Sequence, residues 1–140
     1  MNDLQNACRL LEGGEYTCVI CRGEEVHTAA TRGVKPLVNW LDAGLDVRNG
    51  SAADRVVGKA TAFLYCLLGV RAVYARVMSR SAAGVLENAG IQVRYGKLVP
   101  GIINRAGTGP CPFEAAVDHV SDPSQALSVI HRKMEEMHIR

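Results

Sequence analysis

Between residues 49 and 69 the chain reads NGSAADRVVGKATAFLYCLLG, a stretch with almost no polar face. A helix that is apolar all round has to be surrounded by protein or by lipid. Lipid is excluded by length: the longest apolar run, Ala60 to Val70, falls far short of the ~20 residues that span a bilayer. The chain therefore needs partner layers on every side of this segment. Ser51 and Asp54 stand at the spacing of a capping box, which predicts that the buried helix starts at Ser51.

The flanking sequence supplies those layers. Residues 2–11 read as a short helix ending at Gly13-Gly14. Residues 16–22 and 26–28 read as a hairpin turning at Gly23-Glu24. Residues 33–41 read as a helix with Pro36 in its first turn, where a missing N–H costs little. Residues 71–78 are rich in β-branched side chains and predict a strand, followed by a helix over 79–89 closed by Gly90. A strand over 91–95, an extended piece over 98–104, and helices over 111–119 and 123–137 complete the reading. Strands alternating with helices predict an α/β three-layer sandwich, a central sheet with helices on both faces. At 140 residues the prior is a single domain, residues 1–140, and no repeat or linker divides it.

Charge separates along the chain. Arg55, Lys59, Arg71, Arg76, Arg80, Arg94, Lys97 and Arg105 lie in a segment whose one acid is Glu87, while both ends are net acidic. A positive centre of this kind can focus an anionic ligand. Aromatic residues make up 5% of the chain and do not interleave with basic runs, so nucleic acid is not a favoured partner. The first residues have no basic n-region, and five cysteines, an odd number, predict free thiols in a reducing cytoplasm. Nothing in the residues sets an oligomeric state, and a homo-oligomer is compatible with them.

Most chemical motifs fail on inspection. Gly58-Lys59 resembles the end of a phosphate-binding P-loop, but that motif needs glycine where Ala53 stands and Ser or Thr where Ala60 stands. Cys18 and Cys21 form a lone CxxC inside a strand, where residues three apart face opposite sides, so both are expected to be packing residues. The four histidines have no metal-ligand spacing, and no metal site or cofactor site can be written.

GTGPCPFE, residues 107–114, holds more. With Cys111 as N-cap, Pro112 is the first helical residue and Glu114 closes a capping box whose first member is a thiol. A helix start behind glycines is suited to an anion, and the same field would make Cys111 a better nucleophile, with Glu114 to orient or deprotonate it. A structural cap explains the same residues without any ligand.

Several segments together, TRGVKPL (31–37), ADRVVGKA (53–60), VYARVMSRSA (73–82) and LVPGIINRAGTGPCPFE (98–114), resemble a small bacterial family of unknown function with a cytidine-deaminase-like fold. Phe113 departs from it, at a position where methionine is expected. Zinc deaminases need H-x-E and P-C-x-x-C. Here Ser51-Ala-Ala-Asp54 and Ser79-Arg80-Ser81 open the corresponding helices, and Pro110-Cys111 comes one helix late with Glu114 in place of the second cysteine. The resemblance thus implies a zinc-free site with Asp54 and Lys59 from one helix and Ser81 from the next. Asn104, Arg105, Thr108 and Cys111 would come from the late loop, and Arg32, Gly33 and Lys35 would border the site.

The leading expectation is a binding protein for a small anionic molecule of the nucleotide or nucleoside phosphate class. Arg32, Lys35, Lys59 and Arg105 would neutralise charge, while Asn104, Thr108 and the backbone from Gly109 to Phe113 would donate hydrogen bonds. Two other readings stand beside it: an enzyme using Cys111 as nucleophile or Asp54 with Lys59 as proton carriers, and a non-catalytic interaction module.

Overall fold

Asn2 and Gln5 close the first turn reciprocally: the Asn2 side chain accepts from Gln5 N at 2.8 Å, and the Gln5 side chain accepts from Asn2 N at 3.1 Å. This capping box starts α1 (Asp3–Gly13) in a computed structural model that describes residues 2–104 and 106–138. The hairpin follows as β1 (Cys18–Arg22) and β2 (Glu25–Ala29), turning at Gly23, whose φ of 59° suits glycine. Helix α2 covers Lys35–Asp42, two residues later than its expected start, because Gly33 takes φ 82° and cannot continue a helix.

The largest correction concerns residues 51–57. They form β3 (Ser51–Val57), a central strand, and not the start of a helix. Helix α3 occupies Lys59–Leu68 only, with Gly58 as N-cap and left-handed Gly69 as C-cap. A central strand buried on both faces reads as a near-continuous apolar run, which periodicity cannot distinguish from a buried helix. The Ser51–Asp54 spacing is thus no capping box, and Lys59 is the first residue of its helix instead of lying two turns inside it.

Strand β4 (Ala72–Ser79) and helix α4 (Arg80–Asn88) follow the expectation closely, with Ser79 Oγ accepting from Ala82 N at 3.1 Å as the cap. Strand β5 runs over Gln92–Val99, and the extended piece expected over 98–104 is a strand no further than Val99. Beyond it the loop holds one isolated bridge between Ile103 and Pro110. Helix α5 is the five-residue Pro112–Ala116, shorter than the expected 111–119, and α6 covers Pro123–Glu136 with Asp122 as its cap.

The sheet order is β2-β1-β3-β4-β5, with β1 antiparallel to both neighbours and β3, β4 and β5 parallel. Alternate residues of β1 and β3 feed two cores. Val19, Cys21 and Ala53 pack beneath Ala7 and Leu11 of α1. Cys18, Ile20 and Ala52 face the larger core, built with Leu37, Phe63, Leu64, Leu86 and Ile130 from α2, α3, α4 and α6. Helices therefore cover both faces of a mixed sheet, the three-layer α/β sandwich that the alternation predicts. Among the described residues, no helix is long and apolar enough to cross a membrane.

Candidate functional site

The parallel strands put the C-terminal end of β3 and the start of α3 side by side, and a cavity of about 330 Å³ opens there. Its wall is built from β1 (Cys18), β3 (Asp54, Val56), the start of α3 (Gly58, Ala60, Thr61), the loop before α2 (Arg32, Gly33) and the late loop with α5 (Ile102, Cys111, Glu114). Small-molecule sites occupy roughly 300–1,000 Å³, so this one suits a compact ligand.

Asp54 is the polar group at its buried end. It pairs across the sheet with Cys18 and is 9% exposed. Tyr65 of α3 donates its phenol to Asp54 Oδ2 at 2.6 Å, and Val56 N donates to Oδ1 at 3.3 Å. Burial pushes the Asp54 carboxyl up to about 6, while the Tyr65 hydrogen bond and the neighbouring backbone N–H groups hold it from rising further. Burial also raises the Tyr65 phenol and the Cys18 thiol, and the adjacent carboxylate adds to both.

Arg32 and Arg55 are the basic residues among those that line the cavity. Arg55 Nε is buried without a hydrogen-bond partner among the described residues. An unsatisfied buried N–H of a guanidinium is costly unless a ligand or water accepts from it.

Glu114 also reaches the cavity, but in a different role from the one its spacing suggests. It accepts from Lys59 N at 2.7 Å and from Ala60 N at 3.1 Å, so it caps α3 across 55 residues of chain. A Cβ on Gly58 would run into the same carboxylate, which explains glycine at the N-cap. The capping box expected between Cys111 and Glu114 is absent. Cys111 N donates instead to Ile102 O at 3.0 Å, and its side chain makes no cap hydrogen bond.

The structure thus brings together Arg32, Gly33, Asp54, Cys111 and Glu114 and leaves other expected members outside. Lys59 turns away, donating to Asp118 O at 2.9 Å and lying 5.8 Å from the Phe63 ring centroid. Ser81 lies in the groove beside Lys59 and Phe63, its hydroxyl 3.3 Å from that of Ser79. Lys35 borders a separate depression with Asn39 and Trp40. Asn104 and Thr108 bind each other, through Asn104 Nδ2 to Thr108 Oγ1 at 3.1 Å and Thr108 N to Asn104 Oδ1 at 3.0 Å. The Gly109 carbonyl accepts from Asn104 N at 2.8 Å. Arg105 lies outside the described residues.

Of the basic central segment, Arg55 alone lines the cavity among the described residues. Arg76 pairs with Glu12 at 3.0 Å, and Arg71 and Arg94 border a depression beside the start of α1. Sequence reasoning missed Tyr65 and Arg55. Tyr65 left one usable signal, a phenol inside an apolar helix that needs a buried partner. Arg55 left none before β3 was known to be a strand. The CxxC expectation holds, with Cys18 and Cys21 facing different cores and all five cysteines unpaired. No three His, Cys, Asp or Glu side chains gather to hold a metal ion among the described residues.

A family model described as TM1506, domain of unknown function (DUF1893), matches residues 6–134. Among solved structures, the chain is similar to a DUF1893 family protein from Thermotoga maritima, with a TM-score of 0.86 and 23% identity over 94% of this chain and 89% of that one. That likeness is one of fold. A second structure from the same organism, a diaminohydroxyphosphoribosylaminopyrimidine deaminase/5-amino-6-(5-phosphoribosylamino)uracil reductase, is similar at 14% identity with a TM-score of 0.44, covering 67% of this chain and 35% of that one. So distant a likeness carries no argument about fold or function. No curated protein matches the chain by sequence.

Proposed function

The chain belongs to the TM1506 family, the domain of unknown function DUF1893, and we propose that its cavity binds a small molecule bearing an anionic group, of the nucleotide or nucleoside phosphate class. One observation carries the reading: two arginines, Arg32 and Arg55, are among the residues that line the cavity. Guanidinium groups favour phosphate, which accepts from their planar donors.

The anion belongs at these arginines and not at the start of α5. That helix has five residues, and the nearby start of α3 already holds the Glu114 carboxylate. The phosphate end then lies toward exposed Arg32, and the neutral end of the ligand lies toward buried Asp54. Asn104, Thr108 and Gly109 act by shaping the loop that carries Cys111.

Thermal unfolding tests this. A nucleoside monophosphate should raise the melting temperature more than the matching nucleoside does, and the increment should shrink with salt. Arg32→Ala and Arg55→Ala should each remove most of the increment. Equal effects of nucleotide and nucleoside, or none from either, would reject the anion site.

A catalytic reading has one observation in its favour. A carboxyl poised near 6 inside a cavity is suited to proton transfer at neutral pH. Lys59 is not its partner, since it lines a different groove. Turnover of a bound nucleotide, abolished in Asp54→Asn with binding retained, would establish this reading.

A further inference from the structure

We propose that the buried end of the cavity selects a ligand head with two adjacent N–H donors, which among nucleobases is guanine. The inference rests on the nucleotide reading of the cavity and concerns the opposite end of the ligand from the arginines.

It starts from what Asp54 has left to offer. An ionised carboxylate accepts at about four positions and donates at none. Tyr65 Oη takes one position on Oδ2, and Val56 N takes one on Oδ1. Each oxygen therefore keeps a free acceptor position. No side-chain cation donates a hydrogen bond to this carboxylate among the described residues, although it is buried. Two free acceptors side by side match two parallel donors, the same fork that an arginine presents to a carboxylate.

The walls near Asp54 suit a flat ring. Val34, Val56, Ile102 and Phe113 line the cavity, and its volume of about 330 Å³ holds a compact ligand. A mostly apolar wall strengthens any hydrogen bond made to Asp54 and penalises any group left unpaired there.

The bases differ in what they would bring to such a fork. Guanine places its ring N1–H next to its exocyclic amine, so it offers two donors in a row. Adenine and cytosine pair an exocyclic amine with a ring nitrogen that only accepts, and that lone pair would face a carboxylate oxygen. Uracil and hypoxanthine each bring a single N–H flanked by a group that cannot donate. Only guanine brings two adjacent donors to the fork.

Binding of guanosine, inosine and adenosine monophosphates to the intact protein at pH 7.5, measured by calorimetry, tests the proposal. Inosine monophosphate differs from guanosine monophosphate by the loss of the exocyclic amine alone. The expected result is binding at least about tenfold weaker for inosine monophosphate, the discrimination of one good bidentate contact. Asp54→Asn, which turns one acceptor into a donor, should bind the guanosine and inosine nucleotides alike while keeping the phosphate increment. Equal binding of all three nucleotides by the unaltered protein would overturn the guanine proposal and leave the anion site standing. Absence of binding by all three would overturn both. The comparison of guanosine and inosine nucleotides needs no variant, so it decides the question even if Asp54→Asn fails to fold.

Discussion

Glu114 caps the helix that begins at Lys59, with its carboxylate bound to Lys59 N at 2.7 Å and to Ala60 N at 3.1 Å. A helix start leaves its first N–H groups unsatisfied and carries partial positive charge, so a carboxylate there stabilises it twice over. The contact also ties α5 and the late loop to the sheet-facing helix, and so forms one wall of the cavity.

Removing that cap has a measurable cost. Glu114→Ala should lower stability by about 1–2 kcal/mol, and Glu114→Gln by less, because an amide oxygen still accepts one N–H. Gly58→Ala should cost a similar amount by displacing the same carboxylate. The double variant should lose less than the two single losses together, since both remove one contact. Strictly additive denaturation midpoints would separate Gly58 from Glu114.

Asp54 makes stability depend on pH in a direction opposite to that of an exposed, paired carboxylate. Its carboxyl is raised to about 6, against ~3.9 in an unfolded chain, so the folded state holds the proton more tightly. Its contribution is fully present below about pH 4 and is lost as pH rises through 6. Relative to Asp54→Asn, the parent protein should lose ~2–3 kcal/mol over that window and then level off. Urea denaturation at pH 4, 5, 6 and 7 reads this difference, and parallel curves for parent and variant would refute it. Tyr65→Phe should move the midpoint above 6, because the phenol is a hydrogen bond that holds the carboxyl down.

Thiol reactivity should single out Cys111. Burial raises the thiols of Cys8, Cys18 and Cys21, and it pushes Cys66 up to about 11. Cys111 is half-buried on the cavity wall. Iodoacetamide at pH 8 should alkylate Cys111 first, as read by peptide mass spectrometry, and a bound nucleoside monophosphate should slow it. Prior labelling at Cys8 or Cys66 would show that access, and not the cavity, controls the reaction.

Zinc should be absent from the purified protein. The chain has neither H-x-E nor P-C-x-x-C, and the cavity's two thiols and two carboxylates do not gather three to a point. Elemental analysis after mild chelation should find well under one zinc per chain. A stoichiometric, chelation-resistant ion would disprove this.

Much of the architecture was legible because its signals are local. Asn2 with Gln5, Ser79 and Asp122 each start a helix with their own side chains, and the glycines at 23, 69 and 90 take the positive φ their turns require. The β-branched run of β4 and the opposed faces of Cys18 and Cys21 follow from the period of a strand. These features depend on residues a few positions apart, and the chain alone determined them.

Residues 49–69 show where local signals stop. A strand buried on both faces and a helix buried on all sides are both continuously apolar, and only pairing to β1 and β4 makes residues 51–57 a strand. The site depends on the same long-range pairing. Asp54 faces the cavity because β3 lies beside β1, Tyr65 reaches it because α3 packs back on β3, and Glu114 finds its partners 55 residues away. Spacing placed Glu114 with Cys111, three residues off, but the open N–H groups of α3 were the better partners for a carboxylate. The sequence by itself determined the alternation of elements, the locally made caps of α1, α4 and α6, and the absence of a zinc motif. Only the tertiary structure decided which charged groups share a cavity, because burial and hydrogen-bond partners are set by contacts between segments that the sequence keeps apart.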